Sequence, residues 1–322
     1  SKAHPGELVE SAAMSAVLPP DPTYQPNIAK KIITDGLLSI AQLEAIVGAG
    51  QAHADTLPDG TRKGYFIGDG TGVGKGREIS GIILDNFNHG RKKALWISKS
   101  AGLVTDAKRD WSGIDQDPNH IFDLKGVKVS ESVQNKKGVL FTTYNTLIQG
   151  LTADRGGTLI AATNKTTQKA KESRLDQIVK WLGPDFDGVI AFDEAHAMAN
   201  AAPSVGKRGP KDASSTGLVG LELQKRLPNA RIVYVSATGA TEVANLAYAE
   251  RLGLWGEGTA FANRDTFIGK MVEGGLAAME VVAQNMKALG VYASRQLSFR
   301  GVTYDRLEHE LTPAQKEIYD EM

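Results

Sequence analysis

Phe66-Ile67-Gly68-Asp69-Gly70-Thr71-Gly72-Val73-Gly74-Lys75-Gly76-Arg77 reads as a short apolar strand that enters a run of alternating glycines and leaves, at Lys75, into a helix. Glycines let backbone N–H groups turn inward without steric penalty. Those amides, with the positive end of the following helix, cradle phosphate oxygens, while Lys75 reaches the terminal phosphates. The stretch departs from the Walker A pattern twice: Asp69 stands where its first glycine is expected, and Gly76 replaces the Ser or Thr whose hydroxyl normally ligates magnesium. The nucleotide-binding set read here is Asp69, Gly70, Thr71, Gly72, Val73, Gly74, Lys75, Gly76 and Arg77. A rival reading makes the glycines the nucleoside loop of an S-adenosylmethionine-dependent methyltransferase. That site needs an acid closing the next strand to hold the ribose hydroxyls. The strand ends Trp96-Ile97-Ser98-Lys99 instead, and the rival leaves Lys75 without a task.

Around this loop, β-rich runs at 65–67, 94–98, 139–144, 189–192 and 231–236 are continuously apolar rather than alternating. Continuous apolar strands belong to a sheet buried on both faces. Helical patterns lie between them, with Ile79, Ile82, Ile83 and Phe87 on one stripe and Leu175, Ile178, Val179 and Leu182 on another. Alternating strands and helices predict an α/β fold with a mostly parallel, doubly wound sheet. A helix is expected from Ser39, interrupted by Gly48 and Gly50. The opening residues, with Pro5, Pro19, Pro20, Pro22 and Pro26, read as an extended arm. Polar insertions at 152–171 and 199–216 read as loops. Beyond Thr241, Leu276, Met279, Ala283, Met286 and Leu289 fall on one helical face, followed by a strand-like run at 302–307. The resulting division is an arm and first helix at 1–60, a lobe carrying the glycine loop at 61–245 and a helical extension at 246–322, which the resemblance given below makes an adenine-side helix, an ATP-binding lobe and a linker towards a second lobe.

A second constellation is Val189-Ile190-Ala191-Phe192-Asp193-Glu194-Ala195-His196, two adjacent acids at the end of a buried strand, where ionisation is costly without a cation or hydrogen bonds. In the functional reading Asp193 holds magnesium and Glu194 orients and polarises the attacking water. The structural alternative is a helix N-cap at Asp193, with Glu194 favoured by the helix dipole. Ser236-Ala237-Thr238-Gly239 follows another strand, at the edge where open α/β sheets bind ligands. The residues alone favour an ordinary turn there. Gln42, three residues after Ser39, is favoured as the second half of a capping box; its other reading is contact with adenine.

The bulk properties exclude several classes. The 322 residues include no cysteine, so there is no disulfide framework and no thiolate metal site. The six histidines show no metal-ligand spacing, which argues against a structural metal. No apolar run approaches the roughly 20 residues of a membrane span, and the first residues carry no signal-peptide core. Net charge is zero, 37 basic against 37 acidic residues, so any nucleic-acid contact must be local. Candidates are Arg91-Lys92-Lys93, Lys136-Lys137 and Lys207-Arg208-Gly209-Pro210-Lys211.

Gln42, the loop from Gly72 to Arg77, Asp193-Glu194-Ala195-His196 and Ser236-Ala237-Thr238 together resemble, in order and spacing, the first-lobe motifs of superfamily-two helicases, including the DEAH box. More narrowly, the loop from Gly68 to Arg77, Ser236-Ala237-Thr238-Gly239-Ala240-Thr241 and Arg251-Leu252-Gly253-Leu254-Trp255-Gly256 look like the strawberry notch family of helicase-like ATPases. This resemblance implies a RecA-like lobe that binds ATP and Mg2+ and works on nucleic acid, DNA ahead of RNA. It makes Gln42 an adenine reader and His196, Ser236 and Thr238 couplers of hydrolysis to motion. Gly76 is typical of the family, which leaves magnesium to Asp193 and water.

The run from Ser294 to Phe299, continuing through Leu311-Thr312-Pro313-Ala314-Gln315 to Tyr319, is similar to the segment leading out of the first lobe in Swi/Snf-type ATPases. A second RecA-like lobe, with its arginine finger, is therefore expected beyond Met322, and weak hydrolysis is expected from this chain alone. The neutral charge keeps a nucleotide-dependent interaction module for transcription or chromatin partners as the alternative. A cytoplasmic protein of bacterial or phage origin is expected, with a nuclear one as the alternative.

Overall fold

Strands form wherever the apolar runs were continuous. The computed structural model describes residues 2–153, 158–162, 172–199, 201, 204–206, 209–211, 213–238, 246–298 and 300. Its central sheet comprises β1 (Tyr65–Ile67), β2 (Lys93–Ser98), β3 (Ile121–Phe122), β4 (Gly138–Thr143), β5 (Val189–Asp193), β6 (Arg231–Val235) and β7 (Tyr292–Ala293). They are all parallel, in the spatial order β7-β1-β6-β5-β2-β4-β3. Successive strand residues point to opposite faces, and every residue of β1, β4 and 189–192 of β5 is buried. Both faces are therefore covered, as a parallel sheet requires. Stacked rings run across the centre, Tyr144 on Phe192 and Phe192 on Tyr234 at 6.5 and 5.8 Å between centroids.

The longer helices are α1 (Ile40–Ala52), α2 (Lys75–Asn88), α3 (Val104–Ser112), α4 (Arg174–Leu182), α5 (Ser215–Arg226) and α6 (Arg264–Ala288). α2 packs on both α1 and α3, and α4 packs on α5. α2 buries the expected stripe of Ile79, Ile82, Ile83 and Phe87. Gly81 lets it approach α1 closely, because a Cβ there would strike the side chain of Ile46.

Three local expectations are corrected. α1 runs through Gly48 and Gly50 instead of breaking: a Cβ at either would collide with the rings of Tyr65 and Tyr24 respectively. The glycines are there for close packing, and the burial they permit outweighs their helix cost of about 1 kcal/mol each. α6 does not present the expected single face. It kinks at Gly275 (φ 57°), so Met279, Ala283 and Met286 are buried while Leu276 and Leu289 stand 71% and 57% exposed. The two polar insertions contain short antiparallel pairs, Leu151–Ala153 with Leu159–Ala161 and Ser204–Gly206 with Gly209–Lys211. The strand-like run at 302–307 and the segment from Leu311 to Tyr319 lie outside the described residues.

The proline-rich arm wraps the domain. Leu8–Val9 pairs antiparallel with Gln296–Leu297, Lys287 Nζ donates to Glu10 at 2.7 and 2.8 Å, and the buried Asp85 accepts from Tyr24 Oη at 2.7 Å and the Asn27 amide at 2.6 Å. Sequence reading missed two edge strands, β3 and β7, each of two residues and too short to display a period. β7 matters for function. It covers the free edge of β1, the strand that delivers the glycine loop, and carries the chain on to Arg295.

Candidate functional site

Parallel strands bring their carboxyl ends to one edge, and there the motifs meet. In register, Ile67 of β1 lies beside Val235 of β6, Val235 beside Asp193 of β5, and Ile97 of β2 beside Phe192. The glycine loop, the acid pair, Ser98 and the Ser236-Ala237-Thr238 turn thus share one rim, although the sequence separates Gly68 from Thr238 by 170 positions.

Within the loop, Gly72 and Gly74 have φ of 94° and 100°, a left-handed conformation that side chains rarely adopt. Val73 between them is fully buried and anchors the turn, while Thr71 is exposed. Gly74 is the N-cap of α2 and has no side chain to satisfy the first amides of that helix. Lys75 Nζ spans the loop at 3.4 Å from the Gly70 carbonyl, a contact weak enough to exchange for an anion.

Two of the expected loop contacts point elsewhere. Asp69 is fully buried, and its carboxylate accepts from Arg295 Nη2 at 2.6 Å, from Nε at 3.1 Å and from the Arg295 amide at 2.8 Å. Arg295 also donates to Glu78 at 3.1 Å, Glu44 at 3.0 Å and the Ala41 carbonyl at 2.7 Å. Burial, then the adjacent Asp69 charge, pushes the Glu78 carboxyl well above the usual range, and Asp69 makes the closer ion pair with Arg295, at 2.6 Å against 3.1 Å. Burial opposes the Arg295 charge, but Asp69 and Glu78 keep it protonated beyond the ordinary arginine range. Arg77 likewise turns from the loop and donates to the Leu37 carbonyl at 2.8 Å. Both side chains are thus engaged by partners outside the loop.

Gln42 completes the capping box. Its Oε1 accepts from the Ser39 amide at 2.9 Å, its amide donates to Ser39 Oγ at 3.3 Å, and Nε2 donates to the Val73 carbonyl at 3.1 Å. The side chain is buried against Gly74, whose Cβ position it fills. In this geometry the glutamine clamps the loop, and contact with an adenine would use only what the cap leaves over.

Asp193 receives Ser98 Oγ at 3.0 Å and Trp96 Nε1 at 3.4 Å on Oδ2, and the Glu194 amide at 3.0 Å on Oδ1. Burial raises its carboxyl above the usual range, opposed by the Ser98 and Trp96 hydrogen bonds and reinforced by the Glu194 charge. An acid short of compensating charge at a strand end fits a divalent cation. Among the described residues no three metal-ligating side chains converge, so magnesium here would rely on phosphate oxygens and single carboxylates.

Glu194 stands at φ 51°, left-handed for a non-glycine residue. Its Oε2 lies 3.3 Å from His196 Nδ1, which lies 3.2 Å from Ser236 Oγ, which lies 3.3 Å from Thr238 Oγ1. A polar chain therefore runs from the acid pair to the turn after β6. Sequence reading missed Trp96, Ser98 and Tyr144, whose hydroxyl donates to the Asp193 carbonyl at 2.8 Å. Only the place of Ser98 at a strand end signalled it.

The first two basic clusters lie at the opposite, amino end of the strands. Arg91, Lys92, Lys93 and Lys136 line one cleft with Asp185 and Asp187. Arg91 is paired with Asp187 at 3.1 Å, and Lys93 donates to the Trp181 carbonyl at 2.5 Å. Of the third cluster, Lys207 and Arg208 lie outside the described residues.

Comparison with known proteins places the chain. The family P-loop containing NTP hydrolase pore-1 matches residues 3–321. The chain is 47% identical to Protein strawberry notch of Drosophila melanogaster over 99% of its length and 19% of that protein's. It is 41% identical to Protein FORGETTER 1 of Arabidopsis thaliana over 98% of its length and 23% of that protein's. Among solved structures, the Sulfolobus solfataricus SWI2/SNF2 ATPase core in complex with dsDNA aligns with a TM-score of 0.49 and 13% identity, over 80% of this chain and 44% of that one. The chain spans about a fifth of the length of its curated relatives. These come from fly, nematode, plant, chicken and human, which overturns the bacterial or phage origin expected from sequence. No described helix is long and apolar enough to cross a membrane. The chain belongs to the P-loop containing NTP hydrolase pore-1 family and is a strawberry notch homologue over nearly its whole length.

Proposed function

We propose that the chain is the ATP-binding lobe of a nucleic-acid-dependent motor that couples ATP hydrolysis to translocation or remodelling. The observation that carries this reading is the convergence of the glycine loop, the acid pair and the Ser236–Thr238 turn on one rim of the sheet. The amides of 70–75 and Lys75 hold the phosphates, Asp193 faces magnesium, and Glu194 orients and polarises water. Magnesium, when bound, neutralises phosphate charge. A proton drawn by Glu194 passes to a group already 3.3 Å from His196, so a change at the acid pair is felt at Ser236 and Thr238. On this reading residues 1–60 brace the lobe at 61–245, and 246–322 leads towards a second lobe.

The test is calorimetric titration with ATP and magnesium. Binding by the parent chain that is lost in both Lys75→Ala and Asp193→Ala is the expected result. Absence of binding by the parent, or undiminished binding by both variants, overturns the reading.

A second reading, a nucleotide-dependent interaction module acting in transcription or chromatin regulation without strand separation, is favoured by one observation: Arg91 and Lys93 are engaged by Asp187 and Trp181, far from the rim. Nucleotide-enhanced, salt-sensitive affinity for DNA in the intact protein supports the motor and counts against the module.

A further inference from the structure

Position 76 lacks the hydroxyl that a standard phosphate loop directs at magnesium, and the space it leaves is filled. A Cβ built on Gly76 would land on Asp110 Oδ2, with Cγ 2.9 Å away. The carboxylate of Asp110 therefore sits where a Ser or Thr side chain would sit. It arrives from α3, whose position is set by the adjacent Trp111, fully buried and edge-on to Phe87 of α2 at 5.7 Å. Its compensating charges are Arg109, whose Nε lies 3.6 Å from Oδ1, and Arg77, which makes no ion pair with it within 4 Å. The side chain is only 20% exposed. If the gap needed only filling, an apolar or amide side chain would fill it without the cost of withdrawing a charge from water. Of the other acids near the start of α2, Asp69 is paired with Arg295, and Glu78 accepts from Arg295 on Oε1 while its buried Oε2 has no hydrogen-bond partner among the described residues.

We infer that Asp110 supplies the magnesium-side oxygen that Gly76 cannot, so that the Gly76–Asp110 pair replaces the lysine-following hydroxyl of the standard loop. The inference rests on the nucleotide–magnesium reading proposed above. A hard divalent ion accepts a carboxylate oxygen as readily as a hydroxyl. The exchange explains why position 76 carries glycine: any larger residue there would displace the carboxylate.

The test titrates manganese, as a spectroscopic stand-in for magnesium, into the full chain with saturating ATP and reads free ion by electron paramagnetic resonance. Metal-free ATP binding is measured in parallel by calorimetry. Asp110→Asn is expected to weaken manganese affinity about 10- to 100-fold, the range for disturbing a metal's ligand environment, and to leave metal-free ATP binding within about twofold. Equal manganese affinity in Asp110→Asn overturns the inference and leaves the nucleotide site standing. An equal loss of metal-free ATP binding also overturns it, because Asp110 would then be bracing the loop. A wild-type chain that binds no ATP removes the site reading itself. Should Asp110→Asn not fold, the exchange Gly76→Ser with Asp110→Ala decides: a folded protein with manganese affinity near wild type supports the replacement, and a folded protein without it sinks the idea.

Discussion

At the scale of single residues, the rim is built from groups held in conditions they would not choose alone. Asp193 is half-buried beside a second acid, and Glu194 adopts a left-handed backbone costing about 1–3 kcal/mol. That strain turns the Glu194 carboxylate towards His196 instead of letting β5 run straight on. If Glu194 orients water, Glu194→Gln should bind ATP with unchanged affinity while phosphate release falls about 10²- to 10⁴-fold, the usual reach of a positioned acid–base group. Parallel calorimetry and single-turnover phosphate assays separate the two effects; turnover near wild type would remove Glu194 from the chemistry. Ser236→Ala should leave nucleotide binding intact and reduce the stimulation of turnover by nucleic acid, since it breaks the 3.2 Å contact to His196.

At the scale of elements, the glycine loop is held from outside. α1 clamps it through Gln42, and the segment after β7 clamps it through Arg295. Removing Arg295 alone would strand Asp69 as a buried, unpaired charge, which costs about 3–5 kcal/mol. Arg295→Met is therefore expected to lower stability by that amount in urea unfolding, whereas Arg295→Met with Asp69→Asn should recover much of it. Equal losses in the single and double variants would mean that the arginine acts through packing. The same ion pair makes α1, the start of α2 and the C-terminal segment one mechanical unit around the loop. A shift in the chain beyond β7 is then transmitted directly to the glycine loop.

At the scale of the whole molecule, the sheet order decides which ends meet, and a buried histidine ties α1 to the centre of that sheet. His53, the residue closing α1, is almost wholly buried, with Nε2 3.0 Å from the Ile232 carbonyl of β6. Burial, aided by the charges of Arg231, Arg62 and Arg91 against the Ile232 contact, lowers its pKa to about 3. The folded state therefore binds this proton less readily than the unfolded chain. Its contribution to stability is complete above the unfolded value of roughly 6.5 and is lost as pH falls towards about 3, at about 1.4 kcal/mol per pH unit. Unfolding free energies from urea titrations at pH 6.5 and 4.5 should thus differ more in the wild type than in His53→Gln, by roughly 2–3 kcal/mol. An identical pH slope in both proteins would show that other groups control acid unfolding.

The sequence by itself determined the element types and the identity of the loop. Strands buried on both faces must be continuously apolar, helices beside them must carry a 3.6-residue stripe, and a backbone that cradles phosphate must be rich in glycine. These are local requirements, written in neighbouring residues. Where local signals misled, distant contacts had overridden them: Gly48 and Gly50 look like breaks until the rings of Tyr65 and Tyr24 are seen against α1. Only the tertiary structure decided that Asp69 faces Arg295, that Asp110 fills the space beside Gly76 and that Ser98 and Trp96 support Asp193. Each of these depends on which strand lies next to which and on how helices from separate crossovers pack. Sheet order and burial are properties of the folded chain, and no window of sequence contains both partners.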